Sequence, residues 1–135
     1  MPWFRILPFL LGAAMPAPAW AAGEQLVCAV TYGGQTQTLR AAPVASPYGV
    51  QATAIGSYFL FRPVFERPPG GAATLKIYIY ADAEGGPVPL HVAEFAYPVK
   101  AQGRHGFTGL QRVYEPMRDG ELEYWCALRR AGPAR

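Results

Sequence analysis

The sequence predicts an all-β protein, an antiparallel β-sandwich of about seven short strands, with a small β-barrel as the alternative closure. Three observations carry that prediction. Apolar and polar residues alternate with a period of two in several runs, as in Leu75, Ile77 and Ile79 against Lys76, Tyr78 and Tyr80. The 15 glycines and 14 prolines of the 135-residue chain punctuate it so often that helices have little room. Two cysteines, Cys28 and Cys126, stand near the two ends of the segment that carries these runs.

The first element is an export signal over residues 1–21. Arg5 supplies the positive start, Ile6 to Ala14 an apolar stretch, and Ala19-Trp20-Ala21 a small-x-small cleavage pattern. The apolar stretch is broken at Pro8 and is too short to span ~30 Å of hydrocarbon as a helix. Cleavage near Ala21 leaves residues 22–135 as a single β-rich domain, placed in the periplasm or outside the cell. A lipidated cysteine needs a small residue before it, and Val27 precedes Cys28.

Strand-like runs then follow in order. Gln25–Tyr32 and Gln35–Arg40 flank Gly33-Gly34, a two-residue hairpin signal, because both positions of a type I′ turn need positive φ. Ala41–Val50 reads as a loop and Ser57–Phe65 as a strand apolar on both faces through Tyr58-Phe59-Leu60-Phe61. Arg67-Pro68-Pro69-Gly70-Gly71 is a turn, Ala72–Glu84 a strand, and Glu84-Gly85-Gly86-Pro87 another turn. Leu90–Tyr97 and Phe107–Glu115 are further strands, separated by the basic, glycine-containing loop Lys100 to Gly106. After the turn Pro116 to Gly120, Glu121–Ala131 fits two patterns. As a strand it places Leu122, Tyr124, Cys126 and Leu128 on one face; as a helix it has acidic residues first and Arg129 and Arg130 last. The Tyr124-Trp125 pair and the preceding strands favour the strand.

In an exported chain two cysteines predict a disulfide, and Cys28–Cys126 staples the first strand to the last. Glu123-Tyr124-Trp125-Cys126 after Asp119-Gly120 resembles the segment before the second cysteine of immunoglobulin domains. That resemblance implies an immunoglobulin-like architecture, with Tyr124 in the place of the tyrosine-corner residue. No tryptophan follows Cys28, and the cysteine separation is longer than in that family.

Composition narrows the chemistry. A net charge of +3 with 16% charged residues lacks the basic footprint of a nucleic-acid partner. His91 and His105 lie in different segments, and His91 and Glu94 point to opposite faces of a strand, so no metal-ligand cluster is expected. Met117 is the one methionine after the signal, too few for copper carriage. Ser46 precedes Pro47 in a loop and Ser57 follows Gly56; neither sits in a nucleophile elbow. Glu121 and Glu123 share a strand face about 6.5–7 Å apart, within the glycosidase range. The plainer reading is a solvated face, or pairing with Arg112 or Arg118 across the hairpin. No phosphate-cradling glycine motif appears, and no cofactor is expected.

What remains is a surface. Lys76, Tyr78 and Tyr80 share the strand face opposite Leu75, Ile77 and Ile79, a tyrosine stripe with a cation beside it. A second sheet or the Ala41–Val50 loop covering that face is the competing reading. Lys100, Arg104 and His105 form a second candidate contact region on a loop. The expected function is a non-catalytic binding or interaction module, whose partner is another envelope or secreted protein of a bacterial cell. Leu26-Val27-Cys28 followed by a glycine-turn hairpin is similar to bacterial lysozyme inhibitors, and that resemblance implies an inhibitor of a secreted hydrolase as the alternative. An envelope-directed enzyme using Glu121, Glu123, His91 or His105 stands third.

Overall fold

In the computed structural model, Pro8, Gly12, Ala13 and residues 23–131 are described. The export signal read over residues 1–21 therefore lies outside the described residues, those three positions aside. Alternation builds the first sheet. β1 (Glu24–Tyr32) turns Leu26, Cys28 and Val30 inward and buries them completely. Gly33 and Gly34, with φ of 61° and 78°, return the chain into β2 (Gln35–Ala41). β3 (Pro43–Val44) and a single 3-10 turn at Pro47–Gly49 follow, where sequence periodicity shows only a loop. β4 (Thr53–Ile55) and β5 (Phe59–Glu66) lead to β6 (Thr74–Ala83), β7 (Gly86–Ala96), β8 (Gln111–Glu115) and β9 (Gly120–Arg130).

These strands form two sheets facing each other. The first has the order β2-β1-β9-β8; the second runs β3-β5-β6-β7, with β4 also paired to β5. Every pairing is antiparallel except the two-residue β3–β5 contact. Both sheets keep open edges, so the molecule is a sandwich, and the barrel alternative is set aside. The expected count of seven strands rises to nine because β3 and β4 are too short to show a period. The expected strand Phe107–Glu115 shrinks to β8, since Gly106 and Gly109 adopt positive φ. β7 starts inside the expected Glu84–Pro87 turn. Residues 120–130 are strand, not helix, and Leu122, Tyr124, Cys126 and Leu128 all face the core.

The core closes between Leu26, Val30, Leu122 and Tyr124 on one side and Phe59, Phe61, Phe65, Leu75, Ile77 and Ile79 on the other. Each such side chain contributes roughly 1.5–3 kcal/mol of transfer free energy. Cys28 and Cys126 stand directly opposite each other on β1 and β9 and are joined in a disulfide. The bond therefore lies within one sheet, whereas in immunoglobulin domains it crosses between sheets. Tyr124 departs from that pattern too. Its hydroxyl lies 2.7 Å from His91 Nε2 on the opposite sheet, in a hydrogen bond, instead of returning to nearby backbone.

This pair makes stability depend on pH at both ends. Burial lowers the His91 pKa below its usual 6.5, so the folded chain holds fewer protons there than the unfolded chain. Its contribution is complete above 6.5 and is lost as pH falls from 6.5 through the lower folded value. Burial pushes the Tyr124 phenol from 10.0 up to about 12, which favours the fold below 10 and is lost as pH rises between those values. A two-unit shift corresponds to about 2–3 kcal/mol. Urea midpoints measured across pH should show a shoulder at each end. His91→Gln should flatten the acid limb and Tyr124→Phe should shrink the alkaline one; unchanged limbs would refute the assignment.

Candidate functional site

The tyrosine stripe lies on the face of the second sheet that turns away from the core. Register places Arg62 of β5 beside Tyr78 of β6, and Tyr78 beside Val92 of β7. Lys76 stands next to Glu94 in the same way, and Leu60 next to Tyr80. The Tyr78 and Tyr80 rings stack with centroids 6.3 Å apart and planes 5° from parallel. The Arg62 guanidinium sits 4.8 Å from the Tyr78 centroid, a cation–π contact that extends the stack.

Arg62 is held from a second direction. Its Nε donates to the Val50 carbonyl at 2.9 Å and its Nη2 to the Pro47 carbonyl at 2.6 Å. Those carbonyls open and follow the 3-10 turn, whose Pro47 presets the backbone and whose preceding Ser46 Oγ accepts from Tyr48 N–H. The turn therefore reaches over the β5 side of the face and is anchored at Arg62. Tyr48, at its centre, is 92% exposed, and Val92 on the far side is 59% exposed. Lys76, Tyr78 and Tyr80 are half-buried, and among the described residues no second sheet lies on them.

The other predicted region is elsewhere. Beyond the end of β8 the segment 102–108 runs along the edge of β9 and satisfies it with side chains. Gln102 Oε1 accepts from Leu128 N–H at 2.8 Å and its Nε2 donates to the Leu128 carbonyl. Thr108 Oγ1 accepts from Cys126 N–H, and Phe107 N–H donates to the Cys126 carbonyl. Gly106 passes so near that a Cβ would collide with that same carbonyl. Gly103 and Gly106 close a tight turn with Arg104 exposed, while His105 lies edge-on to Trp125 at 6.0 Å. Trp125 alternates with the inward Tyr124, so this loop belongs to the first sheet's side. The structure thus separates Lys100, Arg104 and His105 from Lys76, Tyr78 and Tyr80. Lys100 borders an open apolar cleft of about 390 Å³ lined by Phe95, Val99 and Phe107.

The residues considered for catalysis have structural partners. Arg112 Nε donates to Glu123 at 2.8 Å and lies 3.8 Å from Glu121, so the carboxylate pair is an exposed ion-pair cluster. Arg118 turns instead to Glu115. His91 is occupied by Tyr124; Ser46 caps the 3-10 turn, and Ser57 is exposed in the β4–β5 turn. Among the described residues, no three of His, Cys, Asp and Glu gather as metal ligands, and no helix is long and apolar enough to cross a membrane.

Two members of the tyrosine face escape sequence reasoning. Arg62 has no local motif, and only the β5–β6 register brings it to Tyr78; aligning the two runs as a hairpin is the signal that finds it. Tyr48 reads as an ordinary loop residue. Comparison with protein-family models, with characterised proteins and with solved structures finds no match to this chain.

Proposed function

We propose that the protein is an exported, non-catalytic interaction module that engages another envelope or secreted protein through the Arg62–Tyr78–Tyr80 face, with Tyr48 at its margin. One observation carries this reading. Arg62 is pinned by two backbone carbonyls over a stacked tyrosine pair, on a sheet face that still reaches solvent. Tyrosine and arginine dominate binding hot spots, and fixing them beforehand lowers the ordering entropy of association. The Cys28–Cys126 disulfide is compatible with an oxidising compartment and supports the periplasmic or secreted placement read from residues 1–21.

The test is native mass spectrometry on protein recovered from its own cell envelope, followed by titration of the retained partner. Tyr78→Ala with Tyr80→Ala should weaken association at least ~30-fold, the scale of a hot spot, with the thermal transition unchanged. Full affinity in the folded double variant would sink the surface.

The braced Gly103–Gly106 turn favours a second reading, an inhibitor of a secreted hydrolase that inserts exposed Arg104 into an acidic cleft. Lysozyme activity falling with dose, and recovering with Arg104→Ala, supports it; no effect at any dose removes it.

A further inference from the structure

A sheet edge exposes N–H and C=O groups that invite another strand, and proteins blunt such edges. Three of the four edges here are blunted by identifiable means. The outer edge of β5 is taken up by β3 and β4. β7 carries Pro87, Pro89 and a register shift opposite Ile79 and Tyr80, with the Glu94 charge farther along. The first sheet's other edge is β8, only five residues long and carrying the exposed Arg112 charge, and past it the β9 edge is closed by Gln102, Phe107 and Thr108. β2 is seven residues long, and its one such device is the Arg40 charge next to its end. Gln35–Ala41 contains no proline, glycine or bulge and pairs in unbroken register with Leu26–Tyr32. Residues 35–38 and Arg40 are exposed.

Alternation fixes which groups point outward. Cys126 bonds through both its N–H and its carbonyl to the 107–108 segment, away from β1. Cys28–Cys126 is therefore a non-hydrogen-bonded pair, as its Cα separation of 4.1 Å also indicates. The N–H and C=O of Cys28 then turn toward β2, making Cys28–Leu39 a hydrogen-bonded pair, and Val30–Gln37 likewise. The intervening Thr36, Thr38 and Arg40 direct both backbone groups out of the sheet.

We propose that β2 pairs antiparallel with β2 of a second copy, about a two-fold axis through Thr38. This register alone engages all three outward residues: Thr36 of each copy opposite Arg40 of the other, and Thr38 opposite itself. It preserves the parity of the faces, sets threonine against threonine, and keeps the two Arg40 side chains at opposite ends. Gln35 to Leu39 carries no charge, so nothing in the pair repels its symmetry mate. The axis stands normal to the first sheet, which leaves both tyrosine faces on the same side. That consequence rests on the interaction reading above; the pairing itself does not.

The experiment compares the intact wild-type protein with three variants by native mass spectrometry and light scattering over a concentration series. Wild type should dimerise. Thr38→Pro removes an outward N–H without touching the β1 ladder and should raise the dissociation constant at least ~10-fold. Thr38→Lys places like charges opposite each other and should act the same way, which keeps the test valid should the proline variant misfold. Both native cysteines are bonded to each other, so Thr38→Cys introduces a single free thiol. It should oxidise to a covalent dimer, because a hydrogen-bonded antiparallel pair has Cα atoms about 5.5 Å apart. A wild-type monomer at concentrations up to ~1 mM overturns the proposal. So does a dimer indifferent to both Thr38→Pro and Thr38→Lys, or a monomer that instead takes up a strand of a different protein.

Discussion

Replacing Arg118 with alanine is expected to cost about 3 kcal/mol of folding stability, the lower end for breaking a buried ion pair. Arg118 clasps the two sheets at one end of the sandwich. Its Nε donates to Glu115 at 3.1 Å, and its remaining nitrogens reach the carbonyls of Tyr58 and Asp82 on the opposite sheet. The guanidinium also lies 4.2 Å from the Tyr58 ring centroid. The Glu115 side chain is completely buried. It keeps two N–H donors, from Met117 and Arg118, and for that reason the loss stays at the lower end.

The cost arises from the carboxylate left behind more than from the contacts removed. Replacing both partners together, Glu115→Leu with Arg118→Met, should therefore recover most of the loss. Arg112→Ala in the same β8–β9 hairpin is the control. Its ion pairs are exposed, and the change should be within ~1 kcal/mol. Urea denaturation of the four proteins decides the matter. Equal losses for Arg118→Ala and Arg112→Ala would mean that the clasp carries no more weight than a surface pair.

The clasp also shows where legibility in the sequence ends. Strands with one buried face, such as Leu26-Cys28-Val30 and Leu75-Ile77-Ile79, are readable because the pleat turns burial into a period of two. Over Leu122, Tyr124, Cys126 and Leu128 the period alone leaves a helix open, and it is the Tyr124-Trp125 pair and the preceding strands that point to a strand. The period of two also put Glu123 within reach of Arg112, since residues that face each other across a short hairpin follow from the turn. Arg118 was an equal candidate for that pairing, and only the positive φ of Asp119 and the depth of Glu115 redirect it. β3 and β4 leave no pattern because their pairing is decided by β5, not by their own few residues. Segment 102–108 is the opposite case. Phe107 and the apolar residues near it suggest a strand, yet the edge of β9 is met by side-chain amide and hydroxyl groups that no backbone period encodes. The tyrosine stripe was visible on β6, but its anchor at Arg62 depends on long-range register and on a turn that has no apolar pattern.

Removing the disulfide as Cys28→Ala with Cys126→Ala is expected to lower stability by about 4 kcal/mol, chiefly through the unfolded chain. The cross-link spans 98 residues, nearly the whole described domain, so its loss frees the ends of the denatured ensemble. The native sheet has little reason to change. β1 and β9 remain paired from Glu24–Arg130 to Thr31–Glu123, and two buried alanines at the centre fit the same pleat. The difference from the Arg118 variant is thus diagnostic. Losing the clasp should leave the urea dependence of unfolding as it was, whereas losing the cross-link exposes more surface on unfolding and should steepen it. Both midpoints fall, but only the disulfide variant should show the larger slope. A loss under ~1 kcal/mol with an unchanged slope would show that the denatured chain already holds its two ends together, and that the β1–β9 pairing persists without the bond.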